Sequence, residues 1–277
     1  MATGEIADHT RPPGALARPA GRGRLVQLEH VLSLSFLVVV LAGWEALTRF
    51  DVVHEIILPA PSRIAAGVWT VITLEGFARE LGTTLLEVFL GFLLAAAGGI
   101  GIGILTGTFG LFRRVIYPYV VAFQVIPKVV FAPIFLAWFG YGIESKIVLA
   151  AVIAFFPCLI NTAVGLRSTS EDEVMLMRSY VASRLQIFWK LKLPKALPFI
   201  FAGLKTAFTF ALIGAIVAEF VGTYHGLGLM LETFTFALQM HLVFAVIVII
   251  SVVGIVLYAA LDFLDRRIVF WRREEGL

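Results

Sequence analysis

The sequence predicts an all-α membrane protein of about six transmembrane helices with both termini cytoplasmic, and three observations carry that prediction. The 277 residues are 60% hydrophobic and 15% charged, with a mean hydropathy of +0.94, which leaves too little polar surface to cover a water-soluble globule. Six continuous apolar runs of about 20 residues, the length of a helical span, can be cut from the chain. The basic residues are sorted unequally between alternate loops, as the positive-inside rule requires. A membrane barrel is excluded because the runs are continuous, whereas barrel strands alternate with a period of two.

The elements follow in order. Residues 1–28 are rich in Arg and Pro and read as a disordered cytoplasmic tail. The first run, 29–48, is too long for a signal-peptide core and meets a poor cleavage sequence at Gly43-Trp44-Glu45, so it is expected to stay as a span. The second run, 84–107, holds Gly99, Gly101, Gly103 and Gly107. Their spacing is not that of a dinucleotide loop, and small residues four apart let helices approach closely. The third run, 116–139, contains Pro127 followed by Lys128. The fourth, 146–166, contains the single cysteine, Cys158, which excludes an internal disulfide and a thiol metal site. Runs at 197–221 and 241–263 complete a membrane unit spanning 29–265, and 266–277 form a second cytoplasmic tail.

Charge orients this set. Seventeen basic residues fall in the N-terminal tail, at Arg113 and Arg114, between 167 and 205, and in the C-terminal tail. Only Arg49, Arg63, Arg79 and Lys146 fall in the opposite loops, and Lys128 lies inside a span. The basic character therefore reports topology, and no nucleic-acid partner is expected.

The loop 168–194 is the longest polar insertion on the basic side. Thr169 and Ser170 precede Glu171, Asp172 and Glu173, an N-cap and first turn suited to a helix dipole. Apolar residues recur at Val174, Met175, Met177, Val181, Leu185, Phe188 and Trp189 among Arg178, Arg184, Lys190 and Lys192. The pattern predicts a short amphipathic helix, a turn, and a second helix ending where Pro194 and Pro198 reset the chain. Such a loop either lies against anionic headgroups or docks a cytoplasmic protein.

From about residue 56 onward the chain resembles the permease subunits of binding-protein-dependent ABC importers, in their nitrate, sulfonate and taurine branch. The motifs are Leu58-Pro59-Ala60-Pro61-Ser62, Ile126-Pro127-Lys128, Ala132-Pro133, Trp138-Phe139-Gly140-Tyr141-Gly142 and Phe155-Phe156-Pro157. Asn161, Gly165-Leu166-Arg167, Leu193-Pro194-Lys195-Ala196-Leu197-Pro198, Ala202-Gly203-Leu204-Lys205, Gly214 through Phe220, and Gly226-Leu227-Gly228 follow in order. The resemblance implies the type I ABC importer permease fold, a permease homodimer, two ABC ATPase subunits and an extracytoplasmic substrate-binding protein. It implies cargo of the nitrate, sulfonate, taurine, pyrimidine-precursor, flavin or aromatic-acid kind. It also implies that the 168–194 loop enters a groove of the ATPase, through Glu173, Met177, Arg178, Val181, Arg184, Leu191, Leu193 and Pro194.

The family signature of that loop reads E-A-A, three residues, G, nine residues, I-x-L-P. This chain keeps Leu191, Leu193 and Pro194 but has Met175-Leu176-Met177 for E-A-A and Val181 for the glycine. Valine there is expected to let the helix continue or to change its docking angle. No G-x-x-x-x-G-K-[ST] occurs, so no cofactor is expected in this chain, and ATP with its Mg is assigned to the partner ATPase.

Ionisable groups inside spans are functional candidates by cost alone. Lys128 is expected about 18 Å deep, and Glu219 near the outer surface where water could solvate it, so a direct pair between them is not expected. Lys128 either faces a cavity or bonds carbonyls freed by Pro127. Glu87 stands where sulfonate permeases are expected to carry Arg, which points toward relatives handling pyrimidine precursors, flavins or aromatic acids. Gln124, Lys128, Asn161 and Glu219 form the expected path or gate. An intramembrane enzyme would need a catalytic constellation that these spans lack, and a secondary transporter or channel would not need the Leu-Pro loop.

Overall fold

The computed structural model describes residues 22–271, with side chains from Val31 onward, and all regular structure among them is helical. In order, the helices are α1 (Arg22–Arg49), α2 (Pro61–Ile72), α3 (Phe77–Thr108), α4 (Gly110–Val125), α5 (Ala132–Phe139) and α6 (Ile143–Arg167). They continue with α7 (Glu171–Ser179), α8 (Arg184–Ile187), α9 (Leu193–Val221), α10 (Leu227–Phe236) and α11 (Met240–Ile268). Five stretches are long and apolar enough to cross a membrane, and α4 with the segment Lys128–Phe139, a pair bent by 85°, meets the same measure only when the two are taken together. Residues 22–28, expected in the tail, are helical, and the rest of that tail lies outside the described residues, as do 272–277. The last helix runs past the expected boundary at 265 to Ile268.

The centre of the bundle is α6, clasped between α3 and α9. Gly91, Gly99, Gly103 and Gly107 of α3 meet α6 near Ala150, Cys158, Thr162 and Leu166 in turn. Both sets of numbers rise together, so the two helices run parallel. On α9, Gly214 meets Ala150, Gly203 meets Asn161 and Gly165 of α6 meets Ala196, an antiparallel pairing. A β-carbon at Gly99 would stand 2.6 Å from that of Cys158, so the small residues set how closely the backbones approach. Gly101 has nothing within 4 Å of such a carbon and faces away from this seam. Around the seam, Val88, Phe92 and Ala95 pack with Ala154, Cys158, Ala207, Phe208 and Ala211, with Phe92 edge-on to Phe208.

Two outer helices complete the bundle. The hydrophobic face of α2, with Val71 fully buried, packs on Leu242, Ala245 and Val246 of α11. Glu45 of α1 accepts from the Ser62 N–H at 3.1 Å and its hydroxyl at 2.7 Å, supplying acceptors to the orphan first turn of α2. From Val31 to Leu41 the apolar side chains of α1 are exposed, as those of a lipid-facing helix are.

Two expectations about helix continuity are corrected. The run 116–139 does not form one continuous helix. Pro127 lacks an N–H and drives Ile126 to extended backbone, φ −67° and ψ 128°; a 3₁₀ turn, Lys128–Phe131, then leads into α5. A depth reckoned along a straight helix therefore does not apply to Lys128. Conversely, Pro194 ends nothing. The preceding turn, Phe188–Lys192, widens into a π-helix in which the Leu193 N–H reaches Phe188 O. The wide turn accommodates the proline, and 184–221 forms one stretch of 38 residues.

Candidate functional site

Three places gather the candidate residues, beginning with the 168–194 loop. Ser170 caps α7 as expected: its hydroxyl accepts from the Glu173 N–H at 3.2 Å, and Glu173 accepts from the Ser170 N–H at 2.8 Å. Glu173 also receives the ammonium of Lys195 at 2.5 and 2.7 Å. Those donors, Lys195 first and the Ser170 backbone next, hold its carboxyl below the usual carboxylate range. Glu173 thus ties α7 to the root of α9.

Helix α7 stops where glycine would have stopped it, against the expectation of a continuing helix. Val181 adopts the left-handed conformation, φ 57°, and its side chain is 90% exposed, so the fold imposes the glycine backbone on a β-branched residue. Ser183 then caps the next turn in a second box with Gln186. Met175, Leu176, Tyr180, Leu185 and Trp189 are all exposed beside Arg178 and Arg184. Met177, Leu191, Leu193 and Pro194 are half-buried beneath, so of the eight candidates Arg178, Val181 and Arg184 lie on the open surface.

The second place is the break in the third span. Lys128 Nζ donates to Gln124 O at 3.1 Å, a carbonyl freed by the break, and lies 4.8 Å from the centre of the Phe156 ring. The acceptor of Lys128 is thus a main-chain carbonyl one turn before it. Asn161 is half-buried on α6, donating to Pro157 O at 2.9 Å.

The third place lies at the opposite end of the bundle, and here one expectation is overturned. Glu219 is fully buried. Its Oε1 accepts from Thr84 at 2.7 Å and its Oε2 from the Gly228 N–H at 2.6 Å. The Thr84 hydroxyl in turn accepts from the Leu227 N–H at 2.8 Å. The first two amides of α10 thus end on one hydroxyl and one carboxylate, which favour a helix N-terminus. Gly226, at φ 121°, leaves the space the carboxylate fills: a β-carbon there would fall 2.3 Å from Glu219 Cδ.

Beside Glu219 stand Glu87 and Lys146, both fully buried and in electrostatic contact with it. Lys146, assigned by charge counting to an outer loop, instead occupies the first turn of α6 and donates to Tyr141 O at 2.8 Å and Gly142 O at 3.0 Å. Glu80 accepts from the Gly226 N–H at 2.5 Å and faces His225 Nδ1 at 3.1 Å. His225 Nε2 meets the Arg79 guanidinium at 2.6 Å; a guanidinium only donates, so Nε2 accepts and Nδ1–H points at Glu80. Thr84, Glu80, Lys146 and His225 were not singled out from sequence. Thr84 and Glu87, three apart on one helix face, were the available signal. A further charged cluster also escaped: Lys205, counted with the basic loop, is inside α9 and bridges Asp262 at 2.5 Å and the buried Asp265 at 2.7 Å.

Residues 99–270 match the family described as "Binding-protein-dependent transport system inner membrane component". The chain is 34% identical over 241 residues, 87% of this chain and 95% of the relative, to the formylaminopyrimidine transport permease protein ThiX of Halalkalibacterium halodurans. It is 28% identical over 248 residues, 88% of this chain and 90% of the relative, to the taurine transport system permease protein TauC of Escherichia coli. Among solved structures it resembles the MetNI methionine ABC transporter in an inward-facing conformation, with a TM-score of 0.57 and 20% identity over 69% of this chain and 94% of that one.

Proposed function

This chain belongs to the binding-protein-dependent transport system inner membrane components, and on that premise we propose how its two ends cooperate. It is a multi-pass permease subunit of an ABC importer in the inner membrane, a transport subunit. In our reading both termini and the 168–194 loop are cytoplasmic, and two copies of the chain form the path. Two ABC ATPase subunits, which bind ATP and Mg, dock on the exposed side chains between Met175 and Trp189, while an outer substrate-binding protein delivers cargo beside residues 222–228. The relatives' names favour a heteroaromatic pyrimidine derivative or a small organic anion as cargo.

The observation that supports this reading is mechanical. The apolar surface of the loop runs directly into the 38-residue stretch 184–221, which at the helical rise is about 57 Å long. Glu219 lies near its far end, bonded to Gly228. A push from an ATPase on Leu185 and Trp189 would therefore reach the α10 latch through one continuous helix. Lys128, Gln124 and Asn161 are proposed to line the path between, and intact transport and coupled ATP hydrolysis in Lys128→Met would remove Lys128 from it.

Co-purification tests the central step. The tagged chain is expected to retain an ATPase that Leu185→Asp with Trp189→Asp releases, and uptake of labelled formylaminopyrimidine or taurine into proteoliposomes is expected to need ATP. Uptake that persists without ATP, from a chain that never retains an ATPase, would instead mark a secondary transporter or channel.

A further inference from the structure

A cavity of about 520 Å³ opens between α7 and the ends of the spans. Three cations from three different elements line it: Arg167 at the end of α6, Arg178 on α7 and Lys192 in the π turn. Gly107, at the end of α3, also lines it, and Glu171 is the one carboxylate in the lining. Glu173 does not face the cations, being held by Ser170 and Lys195. Among the described residues no ion pair joins Arg167, Arg178 or Lys192 to a carboxylate. The Oγ1 of Thr169, also in the lining, is buried and lacks a hydrogen-bond partner among the described residues.

Converging guanidinium and ammonium groups with a spare hydroxyl suit a group with several acceptor oxygens and at least one negative charge, which is the chemistry of phosphate. The position matters as much as the charge. The cavity sits where two helices long and apolar enough to cross a membrane, α3 and α6, end, and basic pockets between the ends of such helices take anionic lipids. We propose that this cavity binds a phosphate-bearing anion, with an anionic lipid headgroup as its source. Bound there, the phosphate bridges α7 to the ends of α6 and the root of α9, so its occupancy stiffens the link between the loop and the bundle. The site goes beyond the docking reading, and its binding can be measured whether or not an ATPase docks.

The full chain, reconstituted in mixed phosphatidylglycerol and phosphatidylcholine, is extracted and its retained lipids counted by native mass spectrometry. Wild type is expected to favour phosphatidylglycerol, and Arg167→Gln with Lys192→Gln to lose that preference by about fivefold for each cation removed. Arg113→Gln with Arg114→Gln, which removes equal charge elsewhere, is expected to keep it. A separate arm adds millimolar inorganic phosphate to lipid-free chain in detergent. Phosphate-dependent thermal stabilisation lost in the Arg167/Lys192 variant, without lipid preference, would support the anion site with a soluble source. Equal retention of both lipids by wild type together with no response to phosphate overturns the proposal, needing no variant. Loss of lipid preference in the Arg113/Arg114 control to the same degree also overturns it.

Discussion

The carboxylate of Glu219 closes on the N–H of Gly228, 2.6 Å away, so an acid near the end of α9 caps the start of α10. The contact leaves no room for change at the glycine: a β-carbon at Gly228 would stand 2.4 Å from that of Glu219. Gly228→Ala is expected to cost about 1 to 3 kcal/mol by overpacking, read as a lower thermal midpoint in nanodiscs. Gly226→Ala meets the carboxylate itself, so its cost should shrink in a Glu219→Ala background, while that of Gly228→Ala should persist. Strict additivity in the Gly226 cycle would contradict the geometry.

Val181 holds the left-handed backbone, φ 57°, with its side chain in contact with little. Val181→Gly is expected to stabilise the chain by about 1 kcal/mol by removing that strain, visible as a raised thermal midpoint. An unchanged or lowered midpoint would mean that the turn carries no strain.

The Glu173 to Lys195 tie predicts a pH response. The folded carboxyl lies below its ordinary range, so the tie contributes stability above that range and loses it as pH falls through the depressed value. A spin-label distance between α7 and α9 should therefore hold at neutral pH and widen only in strong acid. Glu173→Gln, which can keep the capping box but not the ion pair, should show the wider distance at every pH.

Lys205 sits between Asp262 and Asp265, with its side chain 11% exposed. Lys205→Met removes the cation and leaves two acids facing an apolar chain, an expected loss of about 3 to 5 kcal/mol. Adding Asp262→Asn and Asp265→Asn should restore much of the midpoint. A single variant as stable as wild type would show that the pair does not hold α9 to α11.

Much of this was legible along the chain. Six apolar runs, the capped start of α7 and the small-residue face of α3 each depend on local pattern: hydropathy, a Ser three residues before a Glu, glycines four apart. Gly101, two residues from Gly99 and Gly103, falls outside that four-residue spacing and outside the seam. Helix breaks were less legible, because the same residue type acted in opposite ways. Pro127 breaks its span by 85°, whereas the π turn before Pro194 absorbs it; the outcome depends on what the adjoining turns can pack against.

By itself the sequence determined the apolar surroundings of this protein, the runs that become its long helices and its family, because each follows from composition or from order along the chain. Only the tertiary structure decided which polar groups leave the solvent. Glu219 meets Thr84 across 135 residues, and Lys146 turns inward beside Glu87. Such contacts arise from close approach of helices remote in sequence, and a pattern read one helix at a time does not register what the neighbouring helix brings to it.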